Sequence, residues 1–356
     1  MSASFGVLRG LRVLEVGRLL PAPLVGTFLC DLGAEVIKLE PWPRGDKTRG
    51  TALFSLLARG KRFLALPPQN WPAAWPYLLP HMDILILNHR PSALDALHLS
   101  PENITSLYPR LIVVNLLGHQ DGRPGHDLNF LAESGVLDRL RPAPDAPPIV
   151  PGFLFGDLLG GTASALIRLL AALYHREKTG QGAFLTIAIT TEMLRWSYAT
   201  AFLYLSGGGQ VPPPTQELFS GGLPAYRVYP TQDGRFVAVA ALESHFWEGF
   251  CRHVGRPDLI PLGYALNDPS AHTTIEALFR SKTFAEWEAL LQNTAFCVSP
   301  VYTFAEAIQK PWGSQAWHQN FLTFSESVSY QGQIPQVGAD NTFLRYAFDL
   351  PESLFS

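Results

Sequence analysis

The chain has 356 residues, 47% of them hydrophobic and 16% charged, which supplies a large core and leaves little charge for a disordered tail. Its 27 Lys and Arg against 30 Asp and Glu give a formal charge of −3 with no basic stripe, so nucleic acid is not an expected partner. A length beyond the roughly 250 to 300 residues at which single cores stop growing points to two domains.

The opening MSASFGVLRGLRV lacks the apolar run of a signal peptide. No segment approaches 18 uninterrupted apolar residues, and the closing Ser353 to Ser356 match no retention or peroxisomal signal. A cytoplasmic protein with no membrane partner is therefore expected. Residues 11–16, LRVLEV, predict a strand, Pro21 to Leu32 carry a helical apolar pattern, and Ala34 to Leu39 are again strand-like, a strand-helix-strand unit. Gly33 suits the position just past the helix, where a left-handed backbone is most costly for other residues. Further strands are predicted at Ile84 to Leu87 and Leu111 to Leu116. Thr162 to Lys178 then place Ala163, Leu166, Leu170, Leu173 and Tyr174 on one helical face, closed by Lys178 and Gly180, and AFLTIAI follows as a strand. Parallel α/β architecture is the expectation for this part.

Gly207 to Gly209 and Pro212 to Pro214 cannot continue a helix and mark a linker. Beyond it, Tyr226 to Pro230 and Phe236 to Leu242 flank Asp233-Gly234, a dipeptide that tolerates positive φ and favours a hairpin. Thr283 with Glu286 and Thr303 with Glu306 form two capping boxes that announce helices. The second domain therefore reads as α+β. Cys30, Cys251 and Cys297 are far apart, with neither a CxxC nor a Cys/His ligand spacing, which argues against a disulfide framework and a structural zinc site.

The turn after the first strand, Gly17-Arg18-Leu19-Leu20-Pro21-Ala22-Pro23, has one glycine, so the GxGxxG geometry that brings backbone to a pyrophosphate is missing. NAD, FAD and Walker-type nucleotide binding are disfavoured. GLRVLEVGRLLPAPLVGTFLCDLGAEVIKLEPWPRGDKTR instead resembles the opening of the family III CoA-transferase superfamily, which includes the α-methylacyl-CoA racemases. ILNHRPSALDALHLSPENITSLYPRLIVV, GHDLNFLAESGVL, GDLLGGTASALIRLLAALYHREKTGQG and GGLPAYRVYPTQDGRFVAVAALESHFWEGF resemble the same family in order, from about residue 10 to 250.

The resemblance implies a Rossmann-like large domain with a parallel sheet over residues 1–206, completed by about 325–356, and a smaller α+β domain over 215–324, in an interlocked homodimer. It implies an acyl-CoA thioester as substrate, with coenzyme A entering as part of that substrate and no prosthetic group or metal. Lys38, Lys61, Arg62, Asn88 and Arg90 are the residues it assigns to CoA, the cations suiting phosphates. It makes Asp157 the catalytic aspartate, and it places Glu243 where the racemase branch has a glutamate reaching the site from the small domain. His126 is racemase-like, since that branch resembles the Gly125-His126-Asp127 signature. The sequence departs from the family in a shortened Gly118 to Gly125 stretch, in Phe130 for a common tyrosine, and in Ala22-Pro23 for a common Gly-Pro.

Inverting a centre α to a thioester carbonyl takes one proton from one face and returns one to the other, so two acid/base groups must flank the carbon. His126 and Asp157 are such a pair, because an imidazole titrates near pH 6.5 and a carboxyl group matches it when an apolar pocket raises its pKa. Backbone amides at the glycine-flanked start of the long helix are expected to stabilise the enolate. Asp127 is expected either to orient His126 or to cap a helix. As a CoA-transferase the chain would instead use Asp157 as a nucleophile and pass through an aspartyl-CoA thioester.

Overall fold

The computed structural model describes residues 6–318 and 334–356; the expected return to the large domain near residue 325, and the last residues of the 215–324 domain, lie outside the described residues. Two compact units emerge. The first comprises Met1–Val136, Gly152–Trp196 and Trp312–Ser356, and the second Leu137–Pro151 and Ser197–Pro311.

Six short β-branched or leucine-rich runs build the first unit's sheet: β1 (Arg12–Glu15), β2 (Glu35–Pro41), β3 (Arg62–Leu66), β4 (Ile84–Leu87), β5 (Ile112–Leu117) and β6 (Ala183–Ala188). All pair in parallel, in the order β3-β2-β1-β4-β5-β6. Successive side chains alternate between two apolar layers. Leu14, Leu85, Leu87 and Val113 enter one with Trp71, Trp75 and Leu94, while Val13, Ile84, Ile86 and Ile112 enter the other with Val25, Leu29 and Leu169. Burial on both faces explains why these strands read as continuous apolar runs. The run RFLAL of β3 was missed by sequence reasoning.

The chain builds outward from β1 to β3 and then restarts beside β1 with β4. Loops leaving β1 and β4 diverge there and open a crevice at the carboxyl ends of the strands, the place where doubly wound sheets bind ligands. The C-terminal segment closes the β3 edge. Asp340 accepts from the Phe63 N–H at 2.8 Å, Asn341 accepts from the Ala65 N–H at 2.8 Å and donates to its carbonyl at 3.1 Å, and Leu344 is fully buried.

In the second unit β7 (Tyr226–Pro230), β8 (Phe236–Ala240) and β9 (Val298–Pro300) form an antiparallel sheet. Gly234 has φ of 75° as the Asp-Gly pair requires, although the connection is longer than a two-residue turn, with Thr231 N–H donating to the Arg235 carbonyl. Both capping boxes are present. The unit begins before the helix Tyr198–Ser206 rather than at the Gly/Pro linker, and it also gathers in Leu137–Pro151. Arg139 explains the second difference: it donates to the Pro212 carbonyl at 2.8 Å and pairs with Glu217 at 3.3 Å.

Candidate active site

The crevice at the switch point is a cavity of about 460 Å³ walled by the loop after β1, the loop after β4, the end of β5, the His126 loop and Asp157. Two asparagines zip the loops together. Asn88 accepts from the Arg18 N–H at 3.1 Å and donates to the Arg18 carbonyl at 2.9 Å, and Asn115 does the same for His89 at 3.0 and 2.9 Å. Each pair satisfies two backbone groups that the ends of the ladder leave open.

Asp157 lies in a π-helical turn, Gly156–Ala163, that runs directly into the α-helix Ser164–Thr179. The sequence pattern placed the helix start at Thr162; the structure starts it at Gly156, because wide-turn bonds carry the segment, with Ser164 Oγ reaching back to the Leu159 carbonyl at 3.0 Å. Such turns concentrate at functional sites. Gly160 and Gly161 fit where a Cβ would press on Ile189, Met193 and Pro21. Burial, then the neighbouring Asp127, pushes the Asp157 carboxyl up to about 6, against the opposing pull of His126.

Asp127 is buried and its Oδ1 accepts from the Asp157 N–H at 2.9 Å. Its role is thus to hold Asp157 rather than to orient His126. That bond also occupies the amide expected to stabilise an enolate, and the next amide, Leu158 N–H, donates to the Leu154 carbonyl. His126 begins the helix Asp127–Glu133, where its N–H donates to Asn129 Oδ1 at 3.1 Å, and its imidazole is exposed at the cavity. The His126 imidazole and the Asp157 carboxyl therefore line one cavity.

Of the residues assigned to CoA, Asn88 and Arg90 line the same cavity, and Arg90 makes no ion pair among the described residues. Lys38 and Lys61 do not. Their ammonium groups are buried beneath the loop after β1, both paired with the fully buried Glu15, because a charge inside the core demands a partner. Burial drives Lys61 below the ordinary lysine range, whereas for Lys38 burial is outweighed by Glu15 and Asp46. Arg62 opens β3 at the opposite edge of the sheet and pairs with Glu35 and Asp340 at 3.1 and 3.5 Å. Glu243 stands exposed ahead of the helix Ser244–His253 in the second unit, and it is not among the cavity's residues, all of which belong to the first.

His89 was missed by sequence reasoning. It is buried in the cavity wall, its Nδ1 has no partner among the described residues, and burial followed by the Arg18 cation holds its pKa down at about 4. Its one sequence signal is position, directly after a strand that flanks the switch point.

Fold and site together define a doubly wound α/β protein with an imidazole and a carboxyl group in one cavity at its topological switch point. The family model for CoA-transferase family III matches residues 8–343, and the chain belongs to that family. It is 33% identical over 332 residues to the human alpha-methylacyl-CoA racemase, covering 90% of this chain and 83% of that one. It is 28% identical over 350 residues to an acetyl-CoA:oxalate CoA-transferase of Acetobacter aceti, covering 92% and 88%. Among solved structures, a CAIB/BAIF family protein from Brucella suis superposes with a TM-score of 0.80 at 24% identity, over 96% of this chain and 99% of that one. The chain is thus an enzyme of the superfamily that holds both racemases and transferases.

Proposed function

We propose that this enzyme inverts the α-carbon of a 2-methyl-branched acyl-CoA. The observation that carries the reading is that His126 and Asp157 line one cavity while the Asp157 carboxyl is raised to about 6, within reach of an imidazole's ordinary titration range. In one direction neutral His126 takes the α-proton; the C–H electron pair passes into the enolate of the thioester, and protonated Asp157 returns a proton to the opposite face. The reverse direction exchanges the roles. Asn88 and Arg90 would meet the CoA portion, the guanidinium suiting a phosphate. The racemase identity quoted above supports this reading.

The transferase relative keeps a second reading in view, in which Asp157 attacks the thioester. The two separate in deuterated water. A 2-methyl-branched acyl-CoA with no acceptor acid is expected to gain α-deuterium with the wild type and about a thousandfold more slowly with His126→Ala or Asp157→Ala. An unlabelled product from the wild type, together with inactivation by hydroxylamine in the presence of substrate, would establish the transferase instead.

A further inference from the structure

Glu15, Lys38, Asp46 and Lys61 form a buried, charge-balanced cluster that the acid/base chemistry does not use. Glu15 Oε1 meets Lys38 at 3.0 Å and Glu15 Oε2 meets Lys61 at 2.6 Å, while Asp46 closes on Lys38 at 3.0 Å. Each lysine spends a further N–H on the segment after β1, Lys38 on its loop and Lys61 on the first turn of the helix Pro21–Asp31 that follows. Lys38 donates to the Gly17 carbonyl at 3.0 Å and Lys61 to the Pro23 carbonyl at 2.7 Å. Between those points the chain supplies Arg18, Leu19, Pro21 and Ala22 to the cavity wall, and Leu19 holds a φ of 68°, a conformation that a leucine keeps only where its surroundings impose it. From the other side Asn88 grips Arg18. Gly26 completes the fit, since a Cβ there would run into the Glu15 carboxylate.

We propose that Lys38 and Lys61 are positioning residues for acyl-CoA: held in place by Glu15, they fix the loop from Gly17 to Leu20 and the first turn of the helix after it in the shape that forms one wall of the substrate cavity, a role that rests on the acyl-CoA reading above. A buried ion cluster is a poor source of stability in itself, because desolvation offsets the attraction and apolar replacements are often tolerated. What apolar replacements cannot supply is the pair of N–H donors that anchor the loop at Gly17 and the helix turn at Pro23.

The test uses Lys61→Met, the pair Glu15→Met with Lys61→Met, and Gly26→Ala, which displaces the carboxylate without removing a charge. Amide exchange across residues 17–24, CoA binding by calorimetry, and kcat and KM for the acyl-CoA are measured on each protein that shows native circular dichroism. Faster loop exchange, CoA affinity lowered about tenfold and KM raised with kcat largely kept are expected. The double replacement is expected to regain melting temperature over Lys61→Met without regaining affinity, which separates positioning from stability. Folded variants that bind CoA as the wild type does would overturn the role of the lysines. Failure of all three to fold would overturn it too, by making the cluster a requirement of folding rather than of positioning. A wild type without affinity for CoA would overturn the acyl-CoA reading itself.

Discussion

The aromatic core of the second unit and the carboxyl edge of the first unit's sheet handle burial in opposite ways. In the second unit Phe279 stacks on Tyr229 at 4.8 Å and on Phe250 at 5.7 Å, and Trp287 lies 5.0 Å away. The polar atoms of these rings all reach backbone carbonyls, Trp287 Nε1 that of Phe279 at 2.8 Å and the Tyr229 hydroxyl that of Pro224 at 2.8 Å. At the sheet edge, by contrast, burial raises one carboxyl and encloses an imidazole whose Nδ1 meets no partner among the described residues, and the exposed Leu19 holds a positive φ. One region lowers the energy of the fold, and the other gives up stability where burial perturbs titratable groups.

Asp157→Asn tests that contrast most severely. Proton exchange is expected to fall about a thousandfold while the fold gains stability at pH 7. The sign follows from the raised pKa: the unfolded carboxyl titrates near 3.8 and the folded one near 6, so its favourable contribution is complete below pH 3.8 and is lost as pH rises through 6. The gain at pH 7 is up to about 3 kcal/mol, reduced by the group's remaining exposure, and it vanishes near pH 3. Denaturant melts of both proteins at the two pH values measure it, and a variant less stable at pH 7 would break the contrast.

Phe279→Ala should behave inversely. It is expected to cost about 3–5 kcal/mol of the second unit's stability with the Asp157-dependent pH limb of exchange unmoved, as read from urea titration and a pH profile. A shifted limb would show that the two regions are not energetically separate. The smallest effect is expected from His89→Phe. The folded imidazole titrates near 4 against 6.5 unfolded, so the fold keeps its full stability above pH 6.5 and loses up to about 3 kcal/mol as pH falls through 4, which leaves the replacement almost without effect at pH 7 through this linkage. A flatter acid limb of the melting temperature between pH 6.5 and 4 is the expected signature, and an unchanged limb would return His89 to the class of ordinary core histidines.

Local chemistry was legible in the amino-acid order wherever one residue or a short period sufficed. Gly33 and Gly180 adopt φ of 97° and 75° at helix ends, Thr283 and Thr303 cap their helices, and five of the six parallel strands announced themselves as apolar runs. That His126 and Asp157 come together was legible as well, because the motifs around them resemble those of a known family. Charge placement was not. The resemblance made Lys38 and Lys61 phosphate ligands, whereas the packing of β1 against both of them brings Glu15 within reach and turns them inward. His89 and Asn115, 26 positions apart, meet because β4 and β5 are neighbours, and the wide turn at Gly156 exists because Ile189 and Pro21 press against its glycines. Sequence by itself set which segments become strands, helices and turns, since those choices depend on neighbours within a few residues. Which charges are buried, which loop meets which, and where the cavity opens were decided by strand order, which brings together residues that no local interaction connects.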